Sequence, residues 1–176
     1  MGKCSVSRIR QIGLAVAGVV MAWSTTGFAA NNPPGKIAVA DFDYLDTSQE
    51  AKDQTADHER RLREFGDILK AKLSASSFQA VAVACDKPAC SVTTLGPETL
   101  LADAKAQGAR YLVYGGVHKF STLVQWMKLE MIDLQTGAMV ASKLVTFRGD
   151  TDEAYRRAAD FALEDILLPP LHGQNF

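Results

Sequence analysis

The chain has 176 residues, with 19 basic against 20 acidic side chains, a net charge of −1 and 47% apolar residues. A domain of this size can bury a real core. The near-neutral balance excludes the basic surface on which nucleic-acid binding rests. There is no internal repeat and no low-complexity stretch.

The first segment reads as a secretory leader. Lys3, Arg8 and Arg10 form a positive start, and Ile12 to Trp23 is an apolar run. That run is shorter than the roughly 20 residues a membrane-spanning helix needs, but it suits a signal sequence. Gly27 and Ala29 supply small residues at −3 and −1, so cleavage is expected after Ala29. A cut after Ala30 would place bulky Phe28 at −3. The mature chain would then have 147 residues (176 less 29) and a charge of −4, because three bases and no acid leave with residues 1–29. Cys4 lies in the charged start, not after a lipobox, so no lipid anchor is expected there. No second apolar run approaches membrane-spanning length. The expected compartment is the periplasm.

Residues 30–35 read as a linker, and 36–168 as a single α/β domain. Lys36 to Asp43 is a buried strand by its apolar run, and 44–56 is polar and reads as a loop. From Asp57 to Ser76, Leu62, Phe65, Ile68, Leu69 and Leu73 recur at helical spacing, with Asp57 as the expected N-cap. Phe78 to Ala84 is a second strand. Cys85 and Cys90 follow it, and pairing is expected in an oxidising compartment. Free thiols, or a redox or metal role, are the alternatives. Thioredoxin-like sites, however, place two residues between their cysteines at a helix start, not four after a strand.

Pro97 opens a helix that Gly108 stops. Arg110 to Phe120 is a third strand, in which Gly115 and Gly116 signal a bend or a close backbone approach. Leu123 to Asp133 and Ala138 to Arg148 form a hairpin around Leu134 to Gly137. Thr151 to Leu168 is a last helix, ended by Pro169 and Pro170. Ala154, Tyr155, Ala158, Phe161, Ala162, Asp165 and Ile166 trace its inner side. Residues 169–176 read as a loose tail. The order β-α-β-α-β-β-β-α implies parallel pairing in the first half and an antiparallel meander in the second, a mixed sheet with helices packed on it.

Three strings resemble the small periplasmic domains related to the amino-terminal domain of TolB and the core of the curli-secretion lipoprotein CsgG. They are Lys36 to Phe42 (KIAVADF), Gly108 to Val117 (GARYLVYGGV) and Leu129 to Gly137 (LEMIDLQTG). The chain is also similar to secreted bacterial proteins whose family name records only unknown function. The resemblance implies a non-enzymatic part of envelope machinery, acting by docking on other proteins or by forming rings. It carries over no catalytic residue. The chain lacks the lipid-bearing cysteine and the long insertion of CsgG, which speaks against a pore, and the propeller that follows the TolB domain.

The residues themselves show no G-x-S-x-G elbow, no G-x-G-x-x-G and no Walker loop. His58, His118 and His172 lack metal-pair spacing. Asp41, Asp43 and Asp46 gather where the first strand leaves the sheet, a place where parallel sheets often bind ligands. Close carboxylates there could hold a hard cation or share a proton. They could equally cap turns. Tyr114, Gly115, Gly116, His118 and Trp126 mark a possible ligand or recognition site on the third and fourth strands. Trp126 shares its parity with Lys128 and Glu130, which turns it toward solvent. A protein partner in the envelope is expected, with a homo-oligomer as one form of it. No cofactor is expected. A small-ligand carrier, or a metal-dependent enzyme using the aspartates, is the alternative.

Overall fold

A computed structural model describes Gly2 and residues 35–173. The rest of the leader, with the Ala29 cleavage site, residues 30–34 of the linker and 174–176 lie outside the described residues.

The strands are β1 (Ile37–Val39), β2 (Asp43–Asp46), β3 (Ala80–Ala82), β4 (Tyr111–Lys119), β5 (Val124–Asp133) and β6 (Met139–Arg148). They form one mixed sheet in the order β3-β1-β4-β5-β6, with β2 also on β4. β1 is parallel to both β3 and β4, and β4-β5-β6 is an antiparallel meander. This is the mixed α/β architecture expected from the element order.

The expected first strand, 36–43, is broken. Ile37 pairs with Tyr111, but Asp43 pairs with Gly116, so Ala40, Asp41 and Phe42 face only two residues of β4. The extra residue makes a bulge, and the chain resumes as β2 where a loop was expected. Asp43 and Asp46 are therefore strand residues.

Helix α1 (Thr55–Ala75) joins β1 and β2 to β3. Its start is not the expected Asp57. The cap position is Gln54, and Asp53 Oδ1 accepts from the Thr55 N–H at 3.0 Å. A short helix α2 (Val92–Leu95) and then α3 (Pro97–Ala106) lead to β4. The crossover to β3 and the return past β1 to β4 run in opposite directions across the sheet. With one handedness for both, α1 and α3 fall on opposite faces. On the α1 face, Phe65, Leu69, Val113, Met127, Leu129 and Tyr155 pack together in the main core. On the other face α3 places Leu100 and Ala104 against Ala38, Leu112 and Leu134.

The last helix departs most from its periodicity. α4 (Asp152–Phe161) is capped by the Thr151 hydroxyl, which accepts from the Ala154 N–H at 3.2 Å. A π-helical stretch, Ala162–Leu167, follows. Its wider turn adds Leu163 and Leu167 to the inner side beside Ala162 and Ile166. Leu163 and Leu167 are buried, whereas Phe161 is 45% exposed and Asp165 is exposed. Pro169 and Pro170 do not end the helix. They sit in the first turn of α5 (Leu168–His172), where a missing N–H costs little. Within the expected tail, Leu171 is fully buried.

Candidate interaction surface

Among the described residues only half of the sheet's α3 face is covered. At its lower end Leu112, Tyr114 and Ile132 pack beneath the α2–α3 region. Tyr114 is thus drawn into the core, away from the recognition site it was expected to join. Burial raises its hydroxyl pKa, and the nearby Glu130 carboxylate adds to this.

Beyond Gly116 no helix of the described residues covers that face. The pairing aligns Leu45, His118, Trp126 and Thr146 across β2, β4, β5 and β6, and places Lys128 beside Leu144. Leu45 is 56%, Leu144 63% and Trp126 38% exposed. Phe120, just past β4, stacks on Trp126 with ring centres 5.2 Å apart and planes 10° apart. His118 meets Trp126 edge-on at 5.7 Å, and its Nε2 shares a 2.7 Å hydrogen bond with Thr47 Oγ1. Leu123, 67% exposed, completes the β4–β5 turn. The parity argument for Trp126 therefore leads to an aromatic and aliphatic patch on an uncovered sheet. Such patches on soluble proteins commonly mark interaction sites.

Gly115 and Gly116 serve backbone packing. A Cβ on Gly115 would lie 2.1 Å from the Lys128 carbonyl oxygen, and one on Gly116 would lie 2.9 Å from that of Asp43. Strands β2 and β5 can approach β4 there because both side chains are absent.

Asp41 and Asp43 line one cleft and Asp46 another, and each is engaged separately. Asp41 Oδ2 accepts from the Cys90 N–H at 2.7 Å, and the Asp41 N–H donates to the Cys90 carbonyl at 3.0 Å. Asp43 accepts from the Ser91 hydroxyl at 2.6 Å and from the Thr93 N–H at 3.2 Å, at the start of α2. Asp46 accepts from the Ser48 N–H and hydroxyl. An open cleft of about 420 Å³ adjoins Asp41, Asp43, Tyr44 and Ser91. Among the described residues no group of three His, Cys, Asp or Glu side chains is placed to hold a metal ion. Cys85 and Cys90 are bonded, with Cα atoms 5.8 Å apart. The disulfide closes the segment that Asp41 and Asp43 anchor.

A charged cluster on the opposite face has no counterpart in the sequence reading. Lys119 Nζ is fully buried and donates to Asp150 Oδ2 and Glu50 Oε2, each at 2.7 Å. His58, 2% exposed, reaches Asp150 through Nε2 at 2.8 Å, and Arg61 donates to the same carboxylate at 2.8 Å. Tyr44 stacks on the His58 ring at 4.4 Å. Gln125, also fully buried, accepts from Tyr155 Oη at 2.7 Å and donates to the Gly149 carbonyl at 2.8 Å. The available signal was parity: Lys119 and Gln125 share the inward side of Val117 and Met127. Lys119, His58, Arg61, Asp150 and Gln125 find their partners inside the cluster, which locks the loops after β2 and β6 to the sheet.

The chain belongs to the family described as Protein of unknown function (DUF2380), whose profile matches residues 35–167. No curated protein matches it in sequence. In fold it is similar to PelC from Paraburkholderia phytofirmans, solved as a dodecamer, at 22% identity and TM-score 0.51, over 81% of this chain and 91% of that chain. It also aligns with TolB from Acinetobacter baumannii at 16% identity and TM-score 0.47, over 79% of this chain and 28% of that one. The LpoB C-terminal domain from Salmonella enterica aligns at 13% identity and TM-score 0.42, over 67% and 85%.

Proposed function

We propose that this chain is a non-enzymatic accessory protein of the bacterial envelope. After removal of residues 1–29 it acts in the periplasm by binding protein partners, in envelope assembly or transport. The observation that carries this reading is the uncovered half-sheet bearing Leu45, His118, Phe120, Trp126 and Leu144. Exposed aromatic side chains in a rigid sheet lose little entropy on docking and are frequent binding hot spots. PelC, which has this fold, assembles as a dodecamer, and that is consistent with a docking role here. The engaged aspartates count against the small-ligand and metal-dependent alternatives, because Asp41 and Asp43 already hold the segment from Cys90 to Thr93.

Docking by side chains fits better than strand addition. β6 is the free edge of the meander, but Lys143 stands opposite buried Leu129 on its inner side, and the pairing is irregular at Met131 and Ile132. An inward charge and a bulge are devices that keep an edge from pairing.

The test is photo-crosslinking in intact cells, with the crosslinker at position 126 and, as a control, at Asp67 on α1. A specific adduct from position 126 and none from 67 is the expected result. No adduct from 126 would remove the patch as the docking surface.

A further inference from the structure

We infer that the second half of β6 binds an extended segment of another protein, with alternating apolar residues and acidic ends, by taking it into the sheet as an added strand. This goes beyond the docking reading above, because the site is the backbone edge of β6 and not the face that bears Trp126. β6 is last in the strand order. Its ladder continues to Gly149, whose N–H donates to the Leu123 carbonyl at 3.0 Å. Hydrogen-bonded pairs alternate in an antiparallel ladder. Phe147 and Val145 therefore bond to β5, and Leu144, Thr146 and Arg148 turn their N–H and C=O groups away from it. None of those groups has a hydrogen-bond partner among the described residues. The inward charge and the irregular pairing that guard β6 lie at or before Lys143, and from Leu144 to Arg148 the register is regular.

Along this same stretch an open groove of about 490 Å³ separates β6 from α4. Val145 and Phe147 form one wall, and Ala154, Ala158 and Phe161 form the other. The alanines leave room, and Phe161 is 45% exposed. Side chains of an added strand alternate between faces, so every second one enters the groove and must be apolar. Charge sets the ends. Lys143 and Arg148 bracket the stretch, both are exposed, and neither makes an ion pair among the described residues. Arg157, on the far rim, is taken by Glu153 of its own helix. An acid at each end of the incoming segment meets one of these unmatched cations, and opposite charges across a strand pair are favourable. β6 itself carries no acidic residue, so a second copy of this edge does not supply them.

The test uses the full chain, expressed with its own leader and purified from the periplasm. It is titrated into a fluorescein-labelled peptide, Glu-Val-Thr-Val-Thr-Glu, and anisotropy is followed at about 0.15 M salt, where distant charges are screened. Saturable binding is expected, about 10-fold weaker when lysine replaces both glutamates. Arg148→Glu should erase that preference. Two further peptides separate strand addition from side-chain docking, one N-methylated at both valines and one at both threonines. A paired strand turns alternate N–H groups toward β6, so one of these should lose about 10-fold or more and the other should bind like the parent. No saturable binding of the acidic peptide, equal binding of the acidic and basic peptides, or equal effects of the two methylations overturns the inference. The peptide comparisons use the wild-type chain and decide the matter even if Arg148→Glu fails to fold.

Discussion

Lys119 Nζ lies 2.7 Å from Asp150 Oδ2 although no part of the lysine reaches solvent. The pair joins the end of β4 to the loop that starts α4, and Glu50 extends it to the loop after β2. Removing one member of a buried pair leaves the other charge uncompensated. Lys119→Met is expected to destabilise the fold by about 3–5 kcal/mol. Urea unfolding followed by tryptophan fluorescence would measure this. A loss below about 1 kcal/mol would mean that His58 and Arg61 alone satisfy Asp150.

The same pair sets a pH dependence. Burial pushes the Asp150 carboxyl up, but hydrogen bonds from Lys119 and His58 outweigh it and hold it below its usual 3.8. Its contribution is therefore complete above pH 3.8 and is lost as pH falls through the lower folded value. Burial pushes Lys119 down, but hydrogen bonds to Asp150 and Glu50 outweigh this and raise it above 10.5. Its contribution is present below pH 10.5 and is lost as pH rises through the higher folded value. The urea midpoint should form a plateau between these limits. Asp150→Asn should lower the plateau and flatten its acid side, and an unchanged acid limb would place the acid-sensitive group elsewhere.

Two glycines should respond oppositely to alanine. Gly115→Ala drives a methyl into the Lys128 carbonyl, a backbone atom that cannot move aside without opening the β4–β5 ladder. A loss of about 3 kcal/mol or more is expected. Gly66 is in the middle of α1 with nothing within 4 Å of a built Cβ. Gly66→Ala should stabilise by about 0.5–1 kcal/mol through the unfolded chain's lost freedom. Thermal melts of both variants decide it, and similar effects at the two sites would contradict the close approach at β4.

The disulfide closes a short ring, Cys85 to Cys90. Replacing both cysteines by alanine should cost about 2 kcal/mol on the chain-entropy view. Asp41 would still hold the Cys90 position through the backbone. Hydrogen exchange should therefore rise from 84 to 89 and change little at residue 90, Thr93 and Thr94. Faster exchange across α2 as well would mean that the disulfide, not the aspartates, anchors that helix.

Local features were readable along the chain. The stripe of Leu62, Phe65, Leu69 and Leu73 does form the buried side of α1. The turn before Gly137 forms as expected, with Gly137 at φ 74° and Asp133 accepting from the N–H groups of Gln135 and Thr136. Trp126 faces outward, as its alternation with Met127 and Leu129 implies. The break in the first strand was hidden because a bulge changes pairing, not composition. The π-helical stretch was hidden because one extra residue per turn leaves a pattern that still looks helical over ten residues.

The types and order of the longer elements and the parity of β4, β5 and β6 follow from residues near one another in the chain, so the sequence alone determined them. Tertiary structure decided which faces those elements cover and which charges meet. Lys119 and Asp150 are 31 positions apart, and His58 and Asp150 are 92 apart. No local periodicity reports such a distance. The patch at Trp126 exists because α3 covers the sheet only as far as Gly116. That limit is set by where the crossover from β3 lands, and therefore by the packing of the whole sheet.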